Sequence, residues 1–371
     1  MERVVVIGAG AAGLSAAAML RRRGLAPVVL EEADVGASWK RRYDRLRLNS
    51  TRLLSSLPGR LMPRRKGRWV HRDDYVSYLR GYARHHRLDV RCGVRVERID
   101  GERGAFTLTT SGGPVATRVV VVATGHDRTP HRPVWSGRET FPGQLMHAAE
   151  YLRPEPFKGR HVLVVGAGNS AMEIALDIRE GGASTVQLAV RTPPILLAHE
   201  WHGLPATWFG LLGQPLPSRA RDIGTRLLSR AMFGDLTPVG LPAPRRGMSE
   251  QLALGRLPTI DKGTVAAIER GLVDVVAGVE RFEGAEVVLA DGRRLSPDVV
   301  LAATAYRPGL EPLVGHLGAL DEDGHPCPGA VRGLHFIGYR VPLPGPLAQY
   351  WTDAPRLARQ IARELALSKD Q

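Results

Sequence analysis

The residues best suited to chemistry in this 371-residue chain lie in two glycine-rich turns. Gly8-Ala9-Gly10-Ala11-Ala12-Gly13 follows the β-branched run Arg3 to Ile7 and leads into an Ala- and Leu-rich stretch, which predicts a helix to about Arg23. Gly166-Ala167-Gly168-Asn169-Ser170-Ala171 follows the apolar run His161 to Val165 and opens a predicted helix to about Glu180. A lone GxGxxG string is weak evidence, but one set between a strand and a helix predicts a seat for a dinucleotide pyrophosphate. The first glycine allows the tight turn and the second lets the backbone approach the phosphates. The third lets helix and strand pack closely, a place that Ala171 takes in the second copy. The helix N-terminus offers free N–H groups and the positive end of its dipole.

The residues that close the next strand discriminate between nucleotides. Glu31 ends the strand from Pro27 to Leu30, with Glu32 beside it. A carboxylate there accepts hydrogen bonds from ribose hydroxyls and repels a 2′-phosphate. Arg191 ends the strand Thr185 to Val190, and its planar fork suits a 2′-phosphate, with the Thr192 hydroxyl as a further donor. The first turn therefore suits FAD or NAD and the second NADPH. Two dinucleotides in one chain imply electron transfer between them. The destination of the electrons is not a local dithiol: Cys92 and Cys327 are far apart in the sequence and form no CxxC pair, zinc spacing or disulfide framework.

The elements that hold these turns are repeated. Strands expected near 94–99, 105–110 and 118–123 close on Ala123-Thr124-Gly125, and strands near 273–279, 286–289 and 298–303 close on Ala303-Thr304-Ala305. Gly112-Gly113 and Asp291-Gly292 mark matching turns. The expected fold class is α/β, with two nested Rossmann-like dinucleotide-binding domains of the glutathione-reductase-like FAD/NAD(P)-binding kind. The FAD domain is expected to be split, at about 1–150 and 295–371. An NADPH domain is expected at about 155–290, with a substrate-side insertion at about 195–258 rich in Pro, Gly, Trp and Phe. His126 to Pro133 and Pro154-Glu155-Pro156 read as linkers, and Pro355 to Leu367 as a charged amphipathic helix.

Composition bounds the rest. Apolar residues make up 43% and charged residues 24%, which excludes long disorder, collagen and coiled coil. No apolar run spans a bilayer, and the apolar start is too short for a signal peptide, so a cytoplasmic protein without a membrane partner is expected. The +14 net charge comes from arginine, 46 of the 51 basic residues, scattered and without a nucleic-acid motif. This reads as a solvated surface whose field attracts anions, with no nucleic-acid partner. The His85-His86 pair lacks a third ligand, so no metal is expected. A homo-oligomer is left open.

Several segments together resemble the class B flavin-dependent monooxygenases, in their YUCCA-type branch. Phe141-Pro-Gly143-Gln-Leu-Met-His147-Ala-Ala-Glu-Tyr151 fits FxGxxxHxxx(Y/F). Ala37-Ser38-Trp39 followed by Tyr43-Asp44-Arg45-Leu46-Arg47-Leu48 is similar to the flavin-contacting stretch. Gly166 to Ala171 with Glu173 resembles the NADPH loop, and Gly333 to Tyr339 with Gly338, Gly345 and Asp353-Ala354 the C-terminal flavin segment. The likeness runs from about residue 3 to 363.

The resemblance implies FAD in the first turn and NADPH in the second. The implied activity is insertion of one oxygen atom from O2 into a small organic substrate through a C4a-(hydro)peroxyflavin. It also implies that Asn49 contacts the flavin and nicotinamide region, and that His147 links domains and holds NADP⁺. Asn49-Ser50-Thr51 also reads as a turn or cap, and Trp39 as core or flavin-adjacent. Two departures stand out. Ala305 replaces the glycine of the second Ala-Thr-Gly motif, and Tyr151 stands where ketone-to-ester members carry Trp then Pro. An NADPH oxidase or flavin reductase giving mainly peroxide, and a nucleotide-sensing flavoprotein without catalysis, are the alternatives.

Overall fold

The structure, a computed structural model, describes residues 2–102, 104–340, 342–343 and 345–367. The chain divides into two units. The first comprises Met1–Arg41, Ser50–Thr129 and Tyr306–Gln371, and the second Arg42–Asn49 and Pro130–Ala305.

In the first unit β1 (Glu2–Ile7), α1 (Ala11–Arg21) and β2 (Val28–Glu31) form the opening βαβ step. A short helix α2 (Ala37–Lys40), α3 (Arg72–His85) and β3 (Asp89–Cys92) follow, then β4 (Val96–Glu102), β5 (Ala105–Thr110) and β6 (Val115–Val122). The sheet order is β3-β2-β1-β6-β5-β4, and strand Leu334–Phe336 pairs parallel with the C-terminal half of β6. Strands β1 and β2 are parallel and almost continuously apolar, because both faces are buried: Val5, Ile7, Val28 and Leu30 pack on Val96 and Ile99 of β4, Phe106 and Leu108 of β5, and Leu310 to Ala319. The C-terminal helix, Pro346–Leu367, begins nine residues before the expected Pro355, which lies inside it. Ala354, Ala358, Ile361 and Leu365, spaced four, three and four apart, form its buried stripe.

In the second unit β7 (Gln144–His147) precedes β8 (His161–Val165), α4 (Asn169–Glu180) and β9 (Thr185–Val190). The insertion contributes β10 (Leu196–Ala198), α5 (Ala206–Gly213), α6 (Ser218–Phe233) and β11 (Thr259–Asp261), and β10 pairs parallel with β11. Strand β12 (Asp274–Ala277) leads into an antiparallel ribbon of Val279–Glu283, Glu286–Leu289 and Arg294–Leu295, and β13 (Val299–Ala302) ends the unit. The five-stranded sheet β12-β9-β8-β13-β7 is wholly parallel.

The division differs from the expected one in three places. The first boundary falls at 129/130, inside the predicted 126–133 linker rather than near 150, because β7 pairs with β13 from Gln144–Val299 to His147–Ala302. The same pairing carries β13 into the second unit and moves its end from 290 to 305. Third, 42–49 leaves the first unit and belongs to the second.

Candidate active site

The first glycine turn has the geometry that its sequence demands. Gly8 lies at φ +104, and a Cβ there would stand 2.7 Å from the Ala123 carbonyl oxygen. A Cβ on Gly13 would meet the Gly8 carbonyl at 1.9 Å, so this glycine sets the closeness of helix and strand. Gly10 differs: it caps α1 at φ −79, and no atom lies within 4 Å of where its Cβ would be. The N–H groups of the first turn of α1, which follows at Ala11, have no acceptor within the helix. Glu31 turns back to the loop, accepting from the Ala9 amide at 2.7 Å and the Ala33 amide at 3.0 Å. Glu32 is exposed, 3.7 Å from Arg41. Of the two carboxylates, Glu31 alone faces the turn.

Around this turn Thr124 and Gly125 close β6. The Thr124 amide donates to the Tyr339 hydroxyl at 3.2 Å, and the two hydroxyls are 2.8 Å apart. Burial pushes the Tyr339 phenol up to about 12. Gly338 takes φ +90, and a Cβ there would touch that of Ala12 at 2.8 Å, so the C-terminal segment lies directly against the start of α1. Gly345, at φ +91, closes a turn onto Pro342. Trp39 is half-buried on α2, edge-on to Tyr75 at 4.8 Å.

The second turn repeats the first. Gly166 lies at φ +128 with the Ala303 carbonyl 2.5 Å from its would-be Cβ, and Gly168 again faces open space. Ala171 is fully buried, and Ser170 is half-buried in the first turn of α4. Asn169 is taken up by the protein: its Oδ1 accepts from the Ile260 amide at 2.8 Å. The Thr259 hydroxyl donates to the Ala167 carbonyl at 2.9 Å. Arg191 and Thr192 are exposed beyond β9, and the Arg191 guanidinium has no protein partner among the described residues.

The positions of FxGxxxHxxx(Y/F) are all engaged inside the second unit. Phe141 packs on Phe282 at 5.3 Å, and a Cβ on Gly143 would stand 2.7 Å from the Asp298 carbonyl. Tyr151 donates to Asp177 at 2.7 Å. His147 is fully buried; its Nδ1 accepts the Ala149 N–H at 3.0 Å, so Nε2 carries the proton and faces the Ala305 carbonyl at 3.2 Å. Burial lowers its pKa. Backbone groups thus engage both ring nitrogens of His147.

The 42–49 segment lies along α4. Tyr43 donates to Glu173 at 3.0 Å, and Arg45 pairs with Asp177 at 3.1 Å and Glu180 at 2.6 Å. Lys262 bonds both Glu173 and the Arg47 carbonyl at 2.8 Å. Leu48 is buried, and Asn49 holds a buried amide oxygen without a partner among the described residues. The stretch read as part of the flavin domain is thus structurally part of the second unit, because its charged and phenolic side chains find their partners on α4.

The chain's relatives agree with this architecture. The family profile described as pyridine nucleotide-disulphide oxidoreductase matches residues 5–200. Indole-3-pyruvate monooxygenase YUCCA1 of Oryza sativa subsp. japonica is 33% identical, covering 90% of this chain and 86% of its own. YUCCA4 of the same plant is 34% identical, over 90% and 82%. The chain belongs to the YUCCA-type flavin monooxygenases. The solved flavin-containing monooxygenase of Stenotrophomonas maltophilia superposes with a TM-score of 0.75 at 26% identity, over 98% of this chain and 100% of that one. Like its family, this YUCCA-type protein is an FAD- and NADPH-dependent oxidoreductase that acts on a small molecule with O2. Among the described residues no helix is long and apolar enough to cross a membrane.

Two residues that sequence reasoning passed over stand out in this YUCCA-type structure: Thr259 and Lys262. Thr259 carries no local signal, since its partner Ala167 is remote in sequence. Lys262 had one, as one of five lysines in a chain that otherwise uses arginine. Burial lowers its pKa, and Glu173 opposes that shift.

Proposed function

We propose that the turn at Gly8–Gly13 holds FAD, that the turn at Gly166–Ala171 holds NADPH, and that the substrate is a 2-oxo acid with an aromatic side chain. The observation that carries the cofactor assignment is a contrast: open space at Gly10 and Gly168, with Glu31 facing the first turn and the unpaired Arg191 beyond the second. FAD, when bound, supplies hydride acceptance and oxygen activation, and NADPH supplies the hydride. The protein's part is to bind and orient. The amides at the start of α1 and α4 hold pyrophosphates, and Ala123, Thr124, Gly125, Gly338 and Gly345 shape the wall around the first turn. Arg191 and Thr192 hold the 2′-phosphate, His147 holds the backbone at Ala305, and Asn49 offers its unpaired amide oxygen to the nicotinamide carboxamide.

Two observations support the substrate class. Relatives named indole-3-pyruvate monooxygenases align over most of the chain, and the +14 net charge favours capture of an anion. The test is the reaction of purified holoenzyme with NADPH, ¹⁸O2 and indole-3-pyruvate. An acid one carbon shorter, bearing one ¹⁸O atom, with CO2 released in equal amount, is the expected outcome. NADPH consumption that yields only hydrogen peroxide with this and with other aromatic 2-oxo acids would overturn the substrate reading.

A further inference from the structure

The strand β11 touches the second glycine turn at two points and then continues into a buried lysine. Thr259 donates to the Ala167 carbonyl, and the Ile260 amide donates to Asn169. Both acceptors lie in the turn itself. Immediately after β11, the Lys262 ammonium is shared between the Arg47 carbonyl and Glu173, each at 2.8 Å. The other Glu173 oxygen accepts from the Tyr43 hydroxyl. The lysine side chain is 16% exposed and the glutamate 7%, so water competes little for either. One short run of backbone thus connects the turn to the 42–49 segment, and it grips that segment two residues before Asn49.

We propose that Lys262 is a positioning residue that couples occupancy of the Gly166–Ala171 turn to the order of the 42–49 segment. The proposal rests on the reading of that turn as the coenzyme site. A dinucleotide drawing on the amides of the turn fixes Ala167 and Asn169, and these fix Thr259 and Ile260. The strand transmits that restraint because β11 is hydrogen-bonded to β10 and does not swing independently. Lys262 delivers it to the Arg47 carbonyl. An ammonium has three donors on a flexible stem, so it can hold a carbonyl and a carboxylate at once. The alternative role, a buried ion pair that only adds stability, predicts no response of 42–49 to coenzyme.

Hydrogen exchange read by mass spectrometry on FAD-loaded protein, with and without saturating NADP⁺, separates the two. In the wild type, NADP⁺ should slow exchange in peptides covering both 166–171 and 42–49. In Lys262→Met the protection at 166–171 should persist while that at 42–49 is lost, and the share of NADPH electrons appearing as hydrogen peroxide should rise several-fold. Lys262→Arg should recover part of both. Thr259→Val removes one of the two contacts at the other end and leaves the Ile260 amide on Asn169, without disturbing the ion pair, so it keeps the test valid should Lys262→Met fold poorly. It should weaken the 42–49 response. Protection at 42–49 that survives undiminished in both Lys262→Met and Thr259→Val would overturn the proposal, as would its absence in a wild type that protects 166–171. A wild type with no protection at 166–171, despite NADP⁺ binding, would instead overturn the coenzyme assignment.

Discussion

The buried imidazole of His147 faces the carbonyl oxygen of Ala305 at 3.2 Å, and Ala305 is one of three non-glycine residues described at positive φ, at +68°. The same carbonyl accepts the His131 amide at 3.0 Å. Two donors thus hold an alanine in a conformation that glycine adopts without strain. Left-handed backbone costs a non-glycine residue about 1–2 kcal/mol, while glycine loses roughly 0.4–1 kcal/mol more than alanine in unfolded-state entropy. Ala305→Gly should therefore stabilise the protein by about 0.5–1 kcal/mol. A denaturation midpoint equal to or below that of the wild type would show that the strain is already relieved.

The glycines of each turn should respond differently to the same kind of change. Gly10 has room for a side chain but not for a side chain and a pyrophosphate together, so Gly10→Val should fold and elute without FAD, its 450 nm absorbance gone. Gly13→Ala should instead lower thermal stability, because the new methyl meets the Gly8 carbonyl at 1.9 Å. Yellow, fully loaded Gly10→Val would remove FAD from the first turn.

Arg191→Ala should weaken NADPH and spare NADH. A charged hydrogen bond contributes about 1.5–3 kcal/mol, which corresponds to roughly 10- to 150-fold in affinity. The exposure of Arg191 favours the lower end and makes the effect fall with added salt. The ratio of kcat/KM for the two coenzymes, followed by flavin reduction, is the measurement. Equal losses for both would make Arg191 a structural residue.

Acid should loosen the fold through two histidines. Burial lowers the pKa of His147, and burial together with His85, Arg22 and Arg60 brings that of His86 to about 4. The unfolded values lie near 6.5. Between about 6.5 and 4 the unfolded chain binds more protons than the folded one, so stability is full above that window and falls as pH falls through it. His86→Leu should flatten the decline of the urea midpoint between pH 7 and 5. A decline as steep as that of the wild type would assign the acid sensitivity elsewhere.

The two glycine turns could be read from sequence because each is a local contract. A strand, a turn that needs positive φ at Gly8 and Gly166, and a helix start all lie within a dozen residues. The identity of Glu31 over Glu32 could not be read, since alternation along one strand gives no absolute facing until the strand is placed beside β1. Sequence determined the two nucleotide-binding repeats and the sign of the charge at the end of each second strand. Tertiary structure alone decided that β7 and β13 join one sheet, that His147 is buried against the Ala305 carbonyl, and that 42–49 belongs with α4. Tyr43 meets Glu173 across 130 positions of chain, and Lys262 meets Arg47 across 215. Such pairings leave no periodicity to detect: they arise because a buried charge has to find a partner wherever the packed fold brings one within reach.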